Sequence, residues 1–143
     1  MRAIALLLAI APLTLTVATP APAQDPEDAG IRAALNHYLD GHATGDGAHH
    51  RIAFHPVASL YWVNGDTLAT RTSEAYAAGA PGRPAADEAQ RRRRIVSIDR
   101  AGNAAIAKIE LDYPGVRFID YMSLLKVGGE WKIVNKIFHR ETK

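Results

Sequence analysis

The sequence predicts an α+β domain in which N-terminal helices pack on one face of a curved, mostly antiparallel sheet. Three observations support this fold class. An amphipathic helical pattern stands near the N-terminus, four β-rich runs fill the C-terminal part, and turn-forming residues separate those runs. Helices that precede a series of antiparallel strands are typical of domains with helices on one side of a sheet.

The first predicted helix begins after Asp25. Asp25 can cap the helix, Pro26 suits its first position, and acidic residues follow in the first turn. Gly41 and Gly45 mark its end. Residues with helical spacing form a stripe that must cover another surface: Ile31, Leu35, Tyr38, Leu39 and His42.

The next segment is predicted to hold a short helix and a hairpin. The helix runs from Gly47 to Phe54 and is ended by Pro56. A strand from Val57 to Val63 then leads into the turn Asn64-Gly65-Asp66, and Thr67 to Thr70 return as a second strand.

A third helix and a series of strands complete the chain. Ser73 is expected to cap a helix that ends at Ala78, and a Pro/Gly/Ala-rich loop follows from Gly79 to Ala86. Gly128-Gly129 can take the positive φ angles of a tight hairpin turn. Four consecutive strands are predicted: Arg94 to Asp99, Ala104 to Tyr113, Arg117 to Val127 and Trp131 to His139.

The N-terminus has the pattern of a signal peptide. Arg2 precedes an apolar run from Ala3 to Ala11, and Ala21-Pro22-Ala23 offers small residues where a signal peptidase cuts. We therefore predict a signal peptide over residues 1–23, cleaved after Ala23, and one domain over residues 24–143. The protein would be exported to the periplasm or the medium of a bacterial cell, with no membrane association after cleavage.

Composition narrows the possible chemistry. The chain has no cysteine, which excludes disulfides and thiolate metal sites. Its 17 Lys and Arg nearly balance 15 Asp and Glu, so a general affinity for polyanions is not expected. The run Arg91 to Arg94 enters a strand, where its side chains would alternate between faces. We interpret it as a solvated start of a strand and predict no nucleic-acid partner.

Several sequence blocks follow one another in a characteristic order. The blocks are Tyr38-Leu39-Asp40-Gly41, Phe54-His55-Pro56, Arg94 to Asp99 with Gly102 to Ala105, Asp120-Tyr121 and Leu124-Leu125-Lys126. Together they resemble the putative lumazine-binding family of the nuclear transport factor 2-like, or SnoaL-like, superfamily, over Ile31 to Phe138. The resemblance implies a cone-shaped fold enclosing a pocket, a small-molecule ligand and a homodimer formed through the sheet.

Asp120 is the main candidate for acid/base chemistry. It shares a strand face with Phe118, Met122 and Leu124, and an acid on an apolar face needs a partner or a cavity. If the face lines a pocket, Asp120 could act as a general base with His55 as its candidate partner. The alternative is a structural carboxylate paired with an arginine or a helix terminus.

Further side chains are candidates for holding a ligand. The candidate ligand-binding set is Tyr38, His55, Trp62, Asp120 and Asn135, although core packing is an alternative for each aromatic residue. By strict alternation, His139 would share a face with Trp131, Ile133, Asn135 and Ile137.

No cofactor and no metal site are predicted. His37 and His42 are five residues apart and so do not share a helix face, and His49 and His50 are adjacent and diverge.

Three functions remain open at the level of sequence. The first is a small-molecule-binding domain with an apolar pocket. The second is an acid/base enzyme of the dehydratase, isomerase or cyclase type, and the third is a non-catalytic module that binds another protein. The sequence does not decide whether the protein is an enzyme.

Overall fold

A computed structural model of the protein describes residues 25–143. The predicted signal peptide over residues 1–23 lies outside the described residues. The elements, in chain order, are α1 (Pro26–Thr44), α2 (Gly47–Ala53), β1 (Phe54–Asn64), β2 (Thr67–Thr72), α3 (Ser73–Ala78), a short 3-10 helix (Glu88–Gln90), β3 (Arg92–Ala101), β4 (Ala104–Tyr113), β5 (Val116–Val127) and β6 (Glu130–Thr142).

The strands form one sheet in the order β2-β1-β6-β5-β4-β3. Strands β1 and β6 run parallel, and all the other neighbouring pairs in this sheet are antiparallel. The helices pack on one face of the curved sheet, which we call the inner face; the opposite face is the outer face. This arrangement confirms the predicted α+β fold class.

Helix α1 forms for the reasons its sequence indicates. The Asp25 carboxylate accepts a hydrogen bond from the Glu27 backbone N–H at 2.9 Å. At the other end Gly45 has φ 72°, a left-handed conformation that favours glycine. A Cβ atom at Gly45 would lie 2.1 Å from the Arg83 carbonyl oxygen, so close contact with the loop also requires glycine here. The buried stripe of α1 is Ile31, Ala34, Leu35, Tyr38 and Gly41.

The predicted short helix is present as α2, which ends at Ala53, one residue before the predicted end. Two finer expectations were wrong. Pro56 lies within β1 and does not itself end the helix. The N-cap of α3 is Thr72, whose hydroxyl accepts from the Ala75 N–H at 3.2 Å. Ser73 is instead buried, and its hydroxyl donates to backbone carbonyls at the start of β1. It ties α3 to the sheet.

A β-bulge in β6 changes which side chains face the helices. Ile133 pairs with Leu124, and Asn135 pairs with Ser123, so Val134 is an extra residue in the ladder. Trp131 and Ile133 lie on the inner face before the bulge, and Lys136 and Phe138 follow on the same face after it. The prediction that His139 shares a face with Trp131 and Ile133 is therefore wrong. His139, with Asn135 and Ile137, lies on the outer face.

The core lies between the helices and the inner face. It includes Ile31, Leu35 and Tyr38 of α1 and alternate residues of the strands, such as Ile109, Met122 and Leu124. Within residues 25–143, no helix combines the length and apolar character needed to cross a membrane.

Candidate functional site

Three polar side chains meet in the centre of the core. The Tyr38 hydroxyl donates a hydrogen bond to Oδ2 of Asp120 at 2.6 Å. Lys136 Nζ donates to the Tyr38 oxygen at 2.5 Å and lies 3.1 Å from the same Asp120 oxygen. Tyr38 and Asp120 are 0% exposed and Lys136 is 4% exposed. We call this group the Tyr38–Asp120–Lys136 centre.

Each member reaches the centre from a different element. Tyr38 projects from the buried stripe of α1, and Asp120 projects from the inner face of β5. Lys136 follows the bulge of β6 and pairs with Met122, two residues from Asp120. The two charged side chains are therefore diagonal neighbours on adjacent strands, within reach of a long side chain such as lysine.

Burial governs the charges of this centre. Removal from water lowers the pKa of the Lys136 ammonium, and the attraction of Asp120 opposes that effect. Burial raises the pKa of the Tyr38 phenol well above its usual range, and the Asp120 charge raises it further. Tyr38 therefore stays a neutral donor. Lys136 Nζ also lies 4.9 Å from the ring centres of both Tyr38 and Phe138, where the ring faces attract a cation.

Two histidines and a tyrosine surround the centre. Burial, followed by the Lys136 charge, holds the pKa of His42 well below its usual range and lowers that of His50 to about 4. The neutral His42 ring lies 2.8 Å, Nε2 to oxygen, from the Tyr76 hydroxyl. His50 packs against Gly41, where a Cβ atom would lie 2.5 Å from the imidazole. Gly41 is thus needed for α1 to accept this ring.

Two buried polar atoms beside Tyr38 have no hydrogen-bond partner within residues 25–143. They are Oδ1 of Asp120 and Nδ1 of His50. The rings of His50 and Tyr38 are 5.7 Å apart, so both atoms belong to the same region of the core. Buried polar atoms are usually satisfied, and such a pair favours a small polar group or a water molecule as partner.

An apolar cleft of about 1000 Å³ opens where β1 and β6 separate. The pairing of these strands ends at Tyr61 and Ile137, beyond which β1 follows β2 and β6 follows β5. Val63 and Leu68 are 71% and 70% exposed, so the cleft is open to solvent. Its lining is Tyr61, Trp62, Val63, Asn64, Gly65, Leu68, Phe118, Tyr121, Ile137, Phe138, His139 and Arg140.

Aromatic rings form the inner wall of the cleft. Trp62 and Phe138 stack with their centres 5.4 Å apart, and Phe118 lies 6.2 Å from Phe138. Phe138 also contacts Lys136, as described above, so one ring connects the cleft to the buried centre. Chemically, the arrangement offers flat apolar surfaces at the opening and a hydrogen-bonded ion pair behind them.

The structure brings some of the candidate residues together and separates others. Tyr38 and Asp120 share a hydrogen bond, and Trp62 lines the cleft. Asn135 lies on the outer face beside a separate hollow of about 240 Å³. His55 is half-buried at the start of β1, and its Nδ1 accepts from the Val57 N–H at 3.3 Å. No hydrogen bond within the described chain joins His55 to Asp120.

Lys136 is the site residue that the sequence analysis missed. Strict alternation from Trp131 places Lys136 on the outer face with solvent. The bulge reverses that assignment. The sequence departs from strict alternation at this point, with the apolar pair Ile133-Val134 followed by the polar pair Asn135-Lys136.

Three of the four arginines in the run Arg91 to Arg94 form ion pairs with different carboxylates. Arg91 pairs with Asp87, Arg93 pairs with Glu88 and donates to Tyr113, and Arg94 pairs with Glu110. These contacts belong to the packing of β3 and the preceding loop, as the alternation of the run indicates.

Comparisons with known proteins point to one family. A family model described as putative lumazine-binding matches residues 26–139. A nuclear transport factor 2-like protein of unknown function from Shewanella baltica OS155 is 30% identical, with a TM-score of 0.73 over 82% of this chain and 95% of that chain. A similar protein from Methylobacillus flagellatus KT is also 30% identical, with a TM-score of 0.68 over 84% and 97%.

A third similar structure is that of a nuclear transport factor 2-like protein of unknown function from Silicibacter pomeroyi DSS-3. It is 24% identical, with a TM-score of 0.69 over 80% of this chain and 96% of that chain. At this identity the likeness supports the fold alone. The comparison with curated proteins returned no match.

Proposed function

This chain belongs to the family described as putative lumazine-binding, within the nuclear transport factor 2-like proteins, and we propose that it is an exported domain that binds a flat, aromatic small molecule in the cleft between β1 and β6. The family description favours a heterocyclic ligand of the lumazine kind. The signal-peptide pattern of residues 1–23 is the basis for proposing export.

One observation carries the binding proposal: the aromatic wall of the cleft is continuous with the buried ion pair. Trp62 and Phe138 present ring surfaces that suit a flat heterocycle, and Phe138 contacts Lys136. Ligand sites in proteins combine mostly apolar walls with a few convergent polar groups. The Tyr38–Asp120–Lys136 centre would supply the polar groups if Phe138 turns aside as the ligand enters.

The first test is native mass spectrometry of the protein purified from its own host. A small molecule retained at fixed stoichiometry supports the proposal and gives the mass of the ligand. A titration with lumazine, followed by tryptophan fluorescence, then tests the ligand class. Phe138→Ala should weaken binding by about fivefold to a hundredfold, because a stacked aromatic contact contributes about 1–3 kcal/mol.

Val57→Ala is the matched control for the titration. Val57 is an exposed apolar residue of β1 that does not line the cleft. Equal affinity for Phe138→Ala and the unmodified protein would exclude the cleft as the binding site.

A second candidate function is acid/base catalysis, favoured by the hydrogen bonds of the Tyr38–Asp120–Lys136 centre. Asp120 could accept a proton from a substrate, Tyr38 can donate a hydrogen bond to a substrate oxygen, and Lys136 can stabilise the negative charge that develops there. Tyr38→Phe separates the two functions. In an enzyme it would abolish turnover while the aromatic wall of the cleft still held the substrate with weakened affinity, whereas a pure binding domain would show no turnover in either form.

We also propose a homodimer formed through the outer face of the sheet. Exposed apolar side chains from adjacent strands lie together there, including Ile106 and Leu125, and the patch continues through Tyr121 and Ile137, which also line one side of the cleft. A contiguous apolar patch on an otherwise soluble surface is typical of an interaction site. Ile106→Lys should convert the dimer to a monomer, and light scattering measures the change in mass. A dimer that persists in this variant would place the interface elsewhere, and a monomeric unmodified protein would favour a different partner.

A further inference from the structure

A cluster of potential metal ligands lies at the junction of α1 and α2, apart from the core. Nδ1 of His37 and Nδ1 of His49 are 3.1 Å apart. A carboxylate oxygen of Asp40 completes the group, and the three ligand atoms lie within 4.8 Å of one another. We propose that His37, Asp40 and His49 bind a divalent transition metal of the Zn²⁺ class.

The spacing of the two imidazole nitrogens fits a shared metal ion. Zinc–nitrogen bonds are about 2.0–2.1 Å long, so nitrogens 3.1 Å apart subtend an angle of roughly 95–100° at the ion. This angle is close to those of tetrahedral and octahedral centres. Without a metal, the same distance requires one ring to donate its N–H to the other, because two unprotonated nitrogens repel at this separation.

Asp40 adds a negative ligand on the same side of α1. It follows His37 by three positions, and residues with that spacing are neighbours on a helix surface. Within residues 25–143, the Asp40 side chain makes no hydrogen bond or salt bridge, and it is exposed, so it is available to a metal. Two imidazoles and a carboxylate suit Zn²⁺, Co²⁺, Ni²⁺ or Cu²⁺ better than Ca²⁺ or Mg²⁺, which prefer oxygen ligands.

The fold supplies the third ligand, which spacing rules within one helix do not reveal. His49 is in α2, twelve residues after His37, and the turn capped by Gly45 and Asp46 folds α2 back against α1. A metal here would join the two helices and leave coordination positions open to water, as three-ligand protein sites do. The proposed metal site therefore links α1 to α2 within the helical layer and is separate from the cleft.

The test is a calorimetric titration of the chelator-stripped protein, purified without a polyhistidine tag, with ZnSO₄ and then with CoCl₂. We expect saturable binding of one ion per chain, with a visible Co²⁺ absorption typical of nitrogen and oxygen ligands. His37→Ala, His49→Ala and Asp40→Asn should each weaken the affinity by at least about tenfold, because even indirect partners of metal ligands contribute that much.

His139→Ala is the matched control, since His139 is an exposed histidine on the outer face of the sheet. Its affinity should equal that of the unmodified protein. The proposal would be overturned if the protein showed no saturable metal binding. It would also be overturned if His139→Ala lost as much affinity as His37→Ala, or if the single variants Asp40→Asn and His49→Ala both kept full affinity.

Circular dichroism of each metal-free variant checks folding. Asp40→Asn alters an exposed side chain, so it tests the site even if a histidine variant is unstable. As an independent readout, ¹⁵N NMR should show that metal binding places the protons of both His37 and His49 on Nε2. A proton that stays on either Nδ1 in the presence of Zn²⁺ would contradict coordination through both rings.

Discussion

The inner and outer faces of the sheet differ in polarity, and the difference is the reverse of what their burial alone predicts. The inner face, covered by helices, holds the charged residues Asp120 and Lys136 at its centre. On the same strands, the outer face exposes apolar side chains such as Ile106 and Ile137, which are 61% and 51% accessible. A charge is thus kept away from water while apolar surface is left in contact with it.

This difference indicates that each face is shaped for an interaction rather than for stability alone. A buried ion pair often stabilises a protein no better than apolar residues of the same size, because desolvation offsets the attraction. Exposed apolar surface likewise contributes little until it is covered. The inner face is therefore the better candidate for chemistry or ligand anchoring, and the outer face is the better candidate for assembly.

The largest effect is expected for Asp120→Ala. The substitution leaves the Lys136 ammonium buried without its counter-charge, and breaking a buried pair in this way costs about 3–5 kcal/mol. The free energy of unfolding, measured in urea, should fall by that amount. The double variant Asp120→Leu with Lys136→Met should recover most of the loss, because no uncompensated charge remains. Equal destabilisation of the single and double variants would show that packing, not charge, dominates this position.

Two isoleucines of β4 compare the faces directly. Ile109 is 0% exposed on the inner face, whereas Ile106 is 61% exposed on the outer face. Ile109→Ala should lower the free energy of unfolding by about 2–5 kcal/mol through lost burial and a cavity. Ile106→Ala should change it by less than about 0.5 kcal/mol at a protein concentration where the chain is monomeric. Comparable losses would mean that the outer face is covered within a single chain.

Removing one hydroxyl group should have an intermediate effect. Tyr38→Phe preserves the ring but deletes the group that joins Asp120 to Lys136. We expect a loss of about 1–3 kcal/mol, the cost of leaving buried partners unsatisfied. Tyr121→Phe on the outer face is the control, with an expected change within about 0.5 kcal/mol. If both variants unfold at the same urea concentration as the unmodified protein, the hydroxyl of Tyr38 has no structural role.

The smallest effect is a dependence of stability on alkaline pH. Burial raises the pKa of the Tyr76 phenol above its ordinary value, so the folded chain keeps a proton that the unfolded chain releases above about pH 10. Below about pH 10 the contribution of Tyr76 to the free energy of unfolding is fully present. Above that pH the free energy of unfolding falls as the pH rises toward the raised pKa of the folded Tyr76. Tyr76→Phe should show a shallower decline of unfolding free energy between about pH 10 and 11. An identical slope would indicate that Tyr76 is accessible to hydroxide.

Local sequence patterns determined most of the element order. The Asp25-Pro26 start of α1, the β4 strand from Ala104 to Tyr113 and the Gly128-Gly129 turn follow from capping, alternation and turn chemistry. These features depend on neighbouring residues, which is why sequence reasoning reached them. The division of β5 into an inner face with Asp120 and an outer face with Tyr121 is equally local, because successive side chains of a strand point in opposite directions.

Tertiary structure alone decided which side chains meet. The bulge at Val134 depends on the pairing of β6 with β5, and it turns Lys136 inward to Asp120. The approach of His49 to His37 depends on how α2 folds against α1, and the cleft depends on where β1 and β6 stop pairing. Each of these features brings together residues of different helices or strands. Their positions are fixed by long-range packing and register, which periodicity within one segment does not encode.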